Sequence, residues 1–381
     1  MRPQSEAELA EMVKGAREPL RIFGGGTRPI GVPVNGAPLS VAGLSGVELY
    51  EPGALTLVVR AGTPVAEVER VLAAEGQRLA FEPMDHRGLL GTSGEPTIGG
   101  VFAANVSGPR RIQCGAARDF LLGVRFVDGR GEVIRNGGRV MKNVTGYDLV
   151  KLMAGSYGTL GVLTEVALKV LPGSQITGTL LCEGLSDAQA VAALSRALGS
   201  PFEVTGAAHL QQGPNGVPLT LLRIEGSEAS VTYRAGELQK ALSGSGSFTL
   251  EMGPEKTAAL WRAIRDVEAF HGRKGDVWRL SVKPSDAPTL AARVDGSEAV
   301  YDWGGGLLWL LVPEGTGAEP LRQGVAETGG HATLIRGNRA GGHVFQPLPA
   351  PVEALQAGLR QRFDPKGLLN PGLMGQTAEA V

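Results

Sequence analysis

The residues best suited to chemistry lie in glycine-rich segments. The first is Arg21-Ile22-Phe23-Gly24-Gly25-Gly26-Thr27, the second Pro96-Thr97-Ile98-Gly99-Gly100, and a further one runs Gly155-Ser156-Tyr157-Gly158-Thr159-Leu160-Gly161. Glycine permits positive φ and leaves the backbone unshielded, so consecutive amides can converge on one anion. Several such points along one chain suit an extended phosphate-bearing ligand. No Lys-Ser or Lys-Thr follows either of the first two loops, which excludes the nucleotide-hydrolase phosphate loop. Nor does the chain contain Gly-x-Gly-x-x-Gly, the dinucleotide fingerprint of the doubly wound fold. The plainer alternative is a set of turns in a chain that holds 57 glycines.

Composition bounds the rest. At 381 residues two or three domains are expected, and 43% hydrophobic content with a net charge of −1 describes a folded protein without a basic face for nucleic acid. No apolar run approaches the length of a transmembrane span. Glu6, Glu8 and Glu11 stand where a signal peptide would be basic and then apolar, so a secretory signal is not expected. Cys114 and Cys182 are the only cysteines, too few for a disulfide framework or for a four-cysteine iron–sulfur cluster, and in keeping with a reducing cytoplasm. His86, His209, His271, His331 and His343 show no metal-ligand spacing, so no metal site is expected.

These loops need elements to hold them. A helix is expected over Ser5–Val13, capped by Ser5 with Glu8 completing a capping box. A strand over Leu20–Phe23 delivers the first loop. Leu55–Ala61, Pro64–Ala74 and Arg78–Phe81 read as strand, helix and strand. Leu121–Val127 and Glu132–Arg135 read as a hairpin, Tyr147–Met153 as a helix and Gly161–Val170 as a strand. From about Gly173 the pattern changes to strands (Gly178–Leu181, Leu219–Ile224, Trp278–Val282, Leu307–Val312, Ala332–Ile335) alternating with amphipathic helices (Asp187–Leu198, Glu255–Phe270, Glu319–Glu327). That alternation predicts an α+β module with helices on one face of a sheet. A last helix over Val352–Phe363 leads into the proline- and glycine-bearing tail Asp364–Gly372.

Taken together, Gly24-Gly25-Gly26-Thr27, Thr97-Ile98-Gly99-Gly100, the run from Gly155 to Thr164 and the closing Phe363-Asp364-Pro365 to Asn370-Pro371-Gly372 resemble the vanillyl-alcohol oxidase and p-cresol methylhydroxylase family of FAD-binding proteins. Two stretches, Val106-Ser107-Gly108-Pro109-Arg110-Arg111 through Phe120 and Val140-Met141-Lys142-Asn143-Val144-Thr145-Gly146-Tyr147-Asp148-Leu149, look like the smaller flavin subunits of bacterial glycolate oxidases. The resemblance implies an α+β fold: a two-part FAD-binding domain over 1–172 (divided near 54), a cap with an antiparallel sheet over 173–340, and a tail over 341–381 returning to the first domain. It implies FAD, a homologous catalytic flavin subunit and an iron–sulfur subunit as partners, and glycolate or another small 2-hydroxyacid as the substrate of the complex. It also implies a cytoplasmic protein, with any contact to the inner membrane made through those partners.

The residues agree with that cofactor. Amides of Gly24, Gly25, Gly26 and Thr27 can solvate the pyrophosphate without a lysine. Gly99 and Gly100 allow close passage along the flavin or ribityl chain, with Thr97, Ile98, Asn105 and Gly108 counted among the cofactor residues. By resemblance Gly161 and Val162 would line the adenine, and Asn370 could offer its amide to the flavin edge. Thr27-Arg28-Pro29 stands where a histidine for covalent flavin attachment would follow the loop, and Cys114 reads as a small buried residue, so non-covalent FAD is expected.

The catalytic residues are not legible. Hydroxyacid dehydrogenases of this family resemble one another in a His-x-Gly-Asp-Gly-Asn-x-His segment, where this chain reads Gly330-His331-Ala332-Thr333-Leu334-Ile335-Arg336-Gly337-Asn338-Arg339. His86, His331 and His343 are the candidate bases, and Arg110 and Arg111 the candidate carboxylate binders. The leading expectation is therefore a companion FAD-binding subunit. A self-sufficient FAD-dependent 2-hydroxyacid or alcohol dehydrogenase, and a scaffold that has lost FAD, are the alternatives.

Overall fold

The structure is a computed structural model and describes residues 1–139, 146–339 and 343–375. Two antiparallel sheets dominate it. The first has five strands in the order Val47–Glu51, Thr56–Arg60, Val162–Lys169, Leu121–Val127, Val133–Gly137. Its central strands carry Leu57, Val59, Val124, Phe126, Val166 and Leu168 into a core closed by the helix Val65–Ala73, whose Val65, Val68 and Leu72 face inward. Phe81 packs on Phe102 and Phe120 with ring centroids 5.6 and 5.5 Å apart, inclined as aromatic quadrupoles prefer.

The second sheet has eight strands, in the order Thr249–Glu251, Ile176–Glu183, Leu219–Gly226, Gly206–Leu210, Glu298–Asp302, Leu307–Val312, Asp276–Val282, Gly330–Arg336. Leu307–Val312 is buried at every position, as befits an interior strand covered on both faces. Helices Asp187–Leu198 and Glu228–Ala241 cover one part of it through Ala193, Leu194, Val231 and Leu238. The expected strands and helices are present within a few residues, but among others the strands Ala37–Ser40, Val47–Glu51, Gly206–Leu210, Thr249–Glu251 and Glu298–Asp302 and the helices Ile98–Ala103 and Glu228–Ala241 were not foreseen. Arg78–Phe81 is strand only at Gln77–Arg78; Leu79, Ala80 and Phe81 are buried as irregular backbone. Ser5 caps the first helix as expected by accepting from the Glu8 amide at 3.2 Å, while the Glu8 carboxylate takes the amide of Gln4 instead of that of Ser5.

A third, small element delivers the first glycine loop. Leu20–Phe23 pairs in parallel with Ala37–Ser40, and its other edge is taken by the tail: Leu20 donates to the Leu368 carbonyl at 2.7 Å and Asn370 to that of Leu20 at 3.1 Å. The tail thereby becomes part of the N-terminal unit.

The two large sheets meet through a buried ion cluster. Glu82 accepts from both terminal nitrogens of Arg223 at 2.9 and 2.8 Å and from the Arg110 amide at 2.9 Å. Glu225 contacts the Arg110 guanidinium and accepts from Arg78 at 2.8 Å. Burial favours protonation of Glu82 and Glu225, but the arginines outweigh it and hold both below the ordinary carboxylate range.

Candidate cofactor site

Strand Leu20–Phe23 ends in the first glycine loop, and that loop forms part of the lining of a cleft whose empty space, open solvent included, is about 970 Å3. The second loop adjoins it on the same lining, and the structure resolves that loop as the start of a short helix, Ile98–Ala103. Thr97 caps it, accepting from the Gly100 amide at 3.3 Å. The loops touch so closely that side chains are excluded. A Cβ on Gly25 would stand 1.8 Å from the Glu95 carbonyl oxygen, and one on Gly24 would stand 2.1 Å from Thr97 Oγ1. Gly99 is pressed on Ala61, donating to its carbonyl at 2.7 Å, and a Cβ there would lie 2.6 Å from the alanine methyl.

The free donors of this cleft are its decisive feature. Among the described residues, none of the backbone amides from Gly24 to Arg28 has a protein acceptor. An amide without a protein partner needs an outside acceptor. Consecutive amides on one lining, with Gly26 at φ +74°, form a concave donor surface suited to a pyrophosphate. The residues present therefore fit the phosphate part of FAD.

Gly100, Thr97, Gly161 and Val162 line the same cleft, as do Tyr157 and Gly158 of the further glycine segment. Asn370 lines it too, but both ends of its side-chain amide are engaged: Oδ1 accepts from Ile22 N at 2.7 Å, and Nδ2 donates to the carbonyls of Ile22 at 3.2 Å and Tyr157 at 2.9 Å. Ile98, Asn105 and Gly108 stand off the lining. Ile98 is fully buried in the core of the five-stranded sheet. Asn105 accepts from the Arg118 amide at 3.0 Å, and Gly108 receives the Trp303 indole N–H at 3.0 Å. Residues 140–145 of the Lys142-Asn143-Val144-Thr145 motif lie outside the described residues; Asp148 just beyond caps Leu149–Met153 by accepting from Lys151 N at 3.1 Å.

The candidate bases separate clearly. His331 and His343 are exposed, whereas His86 lines the cleft at 7% exposure. Burial, then the charges of Arg28 and Arg279, push its imidazole well below the usual histidine range, so it is neutral near pH 7. Arg110 is committed to Glu225 and Glu82, which removes it as a free carboxylate binder. Arg111 instead lies over the Trp303 ring, 4.5 Å from its centroid. Cys114 is outside the cleft, donates to the Ala80 carbonyl, and burial pushes its thiol up to about 11. Among the described residues no cluster of three or more His, Cys, Asp or Glu side chains is placed to hold a metal, and no helix is long and apolar enough to cross a membrane.

Comparison with known proteins places the chain in a family. Residues 1–137 match the model of the FAD binding domain family. Glycolate oxidase subunit GlcE of Escherichia coli is 36% identical over 372 residues, spanning 96% of both chains. Glycolate oxidase subunit GlcD of Bacillus subtilis is 27% identical over 84% of this chain and 75% of its own. Among solved structures, 4-ethylphenol oxidase from Gulosibacter chungangensis superposes with a TM-score of 0.71 at 14% identity, over 100% of this chain and 89% of that one. An alkyldihydroxyacetonephosphate synthase superposes with a TM-score of 0.73 at 19% identity, over 97% and 76%. The α+β fold is thus that of the vanillyl-alcohol oxidase and p-cresol methylhydroxylase type, and the chain belongs to the family of glycolate oxidase subunit GlcE, with an FAD-binding domain at its N-terminus.

Proposed function

We propose that this chain holds FAD non-covalently in the cleft and acts as a companion subunit in a complex oxidising glycolate to glyoxylate, beside a homologous flavin subunit and an iron–sulfur subunit. The observation that carries the reading is the row of unpartnered amides from Gly24 to Arg28 in a chain of this family. Those amides would receive the pyrophosphate, Gly99 and Gly100 would admit the chain of the cofactor, and Gly161 and Val162 would lie against its far end. Asn370 would position the first loop from behind. Bound FAD supplies a two-electron acceptor for hydride from an alcohol carbon.

Non-covalent binding is supported by the lining itself. It contains no cysteine, and its histidine, His86, is buried in the wall. The companion role is supported by the segment Gly330–Arg339, most of which forms the edge strand Gly330–Arg336, with His331 pointing to solvent exposure and not to the cleft. With only Cys114 and Cys182, electrons bound for an iron–sulfur centre would have to enter another chain.

The domain division we propose follows the two sheets: a cofactor domain over 1–172, a cap over 173–340, and a returning tail. A second reading, a self-sufficient FAD-dependent 2-hydroxyacid dehydrogenase, is favoured by His86, a neutral imidazole on the cleft wall able to accept a proton. Steady-state dye reduction by the FAD-loaded chain alone separates the two. Little glycolate-dependent turnover, restored on adding the partner subunits, is expected; robust turnover by the single chain would establish the second reading in its place.

A further inference from the structure

Arginine side chains from distant parts of the sequence gather where the eight-stranded sheet meets the cleft. Arg279, on the strand Asp276–Val282, lies over both Trp303 and Trp309, with centroids at 5.3 and 5.9 Å. Arg111 lies over the same Trp303 ring at 4.5 Å, and Arg28, on the cleft lining, over Tyr157 at 5.1 Å. The charges of Arg28 and Arg111 act on Arg279, and those of Arg28 and Arg279 act on His86, so the groups share one neighbourhood.

Their partners are aromatic faces only. Among the described residues, none of the Arg28, Arg111 and Arg279 guanidiniums donates a hydrogen bond to a protein acceptor or lies within ion-pair distance of a carboxylate. The buried Arg110 and Arg223, by contrast, have Glu82 and Glu225. The carboxyl that acts on Arg279 is that of Asp302, which is buried, accepts from the Trp303 amide at 2.7 Å, and is pushed up to about 7 by that burial. It lies beyond ion-pair distance of the Arg279 guanidinium. Gathered guanidiniums repel one another and stay together at low cost only when an anion joins them.

We propose that Arg28, Arg111 and Arg279, with His86 beside them, form a binding site for a small carboxylate on the cap side of the cleft. A carboxylate matches the planar fork of a guanidinium in two parallel hydrogen bonds. Ile30, Met84 and Val106 on the adjoining lining are apolar and suit a short carbon chain. The site's position beside the cofactor rests on the proposed function, but its affinity for a carboxylate does not.

Isothermal titration calorimetry of the FAD-loaded chain with glycolate tests this, with acetate and inorganic phosphate titrated in parallel. Saturable glycolate binding is expected, acetate binding comparably and phosphate more weakly. Arg279→Met should weaken glycolate binding roughly tenfold or more, the loss expected for a charge-assisted pair, and Arg279→Lys should recover part of it. Arg111→Met should weaken binding as well, which keeps the test decisive if the Arg279 variant does not fold. Unchanged affinity in folded variants of both arginines, no saturable glycolate binding, or tighter binding of phosphate would each overturn the proposal. Failure of the FAD reading would show separately, as a colourless protein that still titrates with glycolate.

Discussion

Asn370 and Ile22, from opposite ends of the chain, are joined by a two-point amide pair: Oδ1 accepts from Ile22 N at 2.7 Å and Nδ2 donates to Ile22 O at 3.2 Å. The side chain thus imitates a neighbouring strand. It does so from a left-handed backbone, φ 44°, which asparagine tolerates better than most residues. Asn370→Ala would leave half-buried groups of Ile22 and Tyr157 unpaired, a loss of about 1 kcal/mol. Thermal melts should show the lowered stability, and ultrafiltration should show faster loss of FAD. A variant that keeps both properties would mean the tail does not hold the loop.

The two glycine loops can be tested against each other. Gly25→Ala would set a methyl against the Glu95 backbone, which cannot move aside as a side chain can. Gly100→Ala meets only Thr97 Oγ1, at 3.1 Å. The first should abolish flavin retention, read as visible flavin absorbance relative to protein, and the second should weaken it modestly. The reverse order would contradict the close apposition of the loops.

The ion cluster between the sheets should give an acid-dependent stability. Glu82 and Glu225 have carboxyls depressed below their ordinary value of 4.5, so the folded state binds fewer protons than the unfolded. Their contribution is whole above about pH 4.5 and is lost as pH falls through the depressed values. Arg223→Met strands Glu82 without its bidentate partner and should cost about 3–5 kcal/mol at neutral pH. Its penalty should shrink in acid as the carboxyls protonate, a trend that denaturant midpoints across pH would reveal or refute.

Asp302 has the opposite sign. Burial raises its carboxyl to about 7, so the folded state holds a proton the unfolded chain releases near its ordinary 3.8. Stability is therefore drained as pH rises between those values and the loss is complete above about 7. Asp302→Asn keeps an acceptor for the Trp303 amide and removes the charge. It should raise Tm at pH 8 by a few degrees and make no difference near pH 4. Equal effects at both values would show that Asp302 ionises normally.

What the sequence disclosed follows from what is local. Gly24-Gly25-Gly26 and Thr97 to Gly100 were legible because loop glycines stand out against the strands and helices beside them. The helix Ile98–Ala103 was hidden by those same glycines, although Thr97 in capping position was the available signal. Strand Gly206–Leu210 was missed because it is buried along most of its length and carries His209 inside, bonded to Thr220 at 2.9 Å, so no alternation marks it. The weakly amphipathic Glu228–Ala241 was missed for want of a clear apolar stripe. Neither the pairing of Arg110 with Glu225 nor the gathering of Arg28, Arg111 and Arg279 is local, and only the packing of the sheets brings them together.

The central claim is that the amides from Gly24 to Arg28 hold FAD without a covalent bond. The most direct test is to precipitate the purified, FAD-loaded chain with acid and measure where the flavin goes. About one flavin per chain, recovered in the supernatant, is expected of the donor-lined cleft. Flavin retained in the precipitated protein, or a chain that takes up none when FAD is supplied, would contradict it.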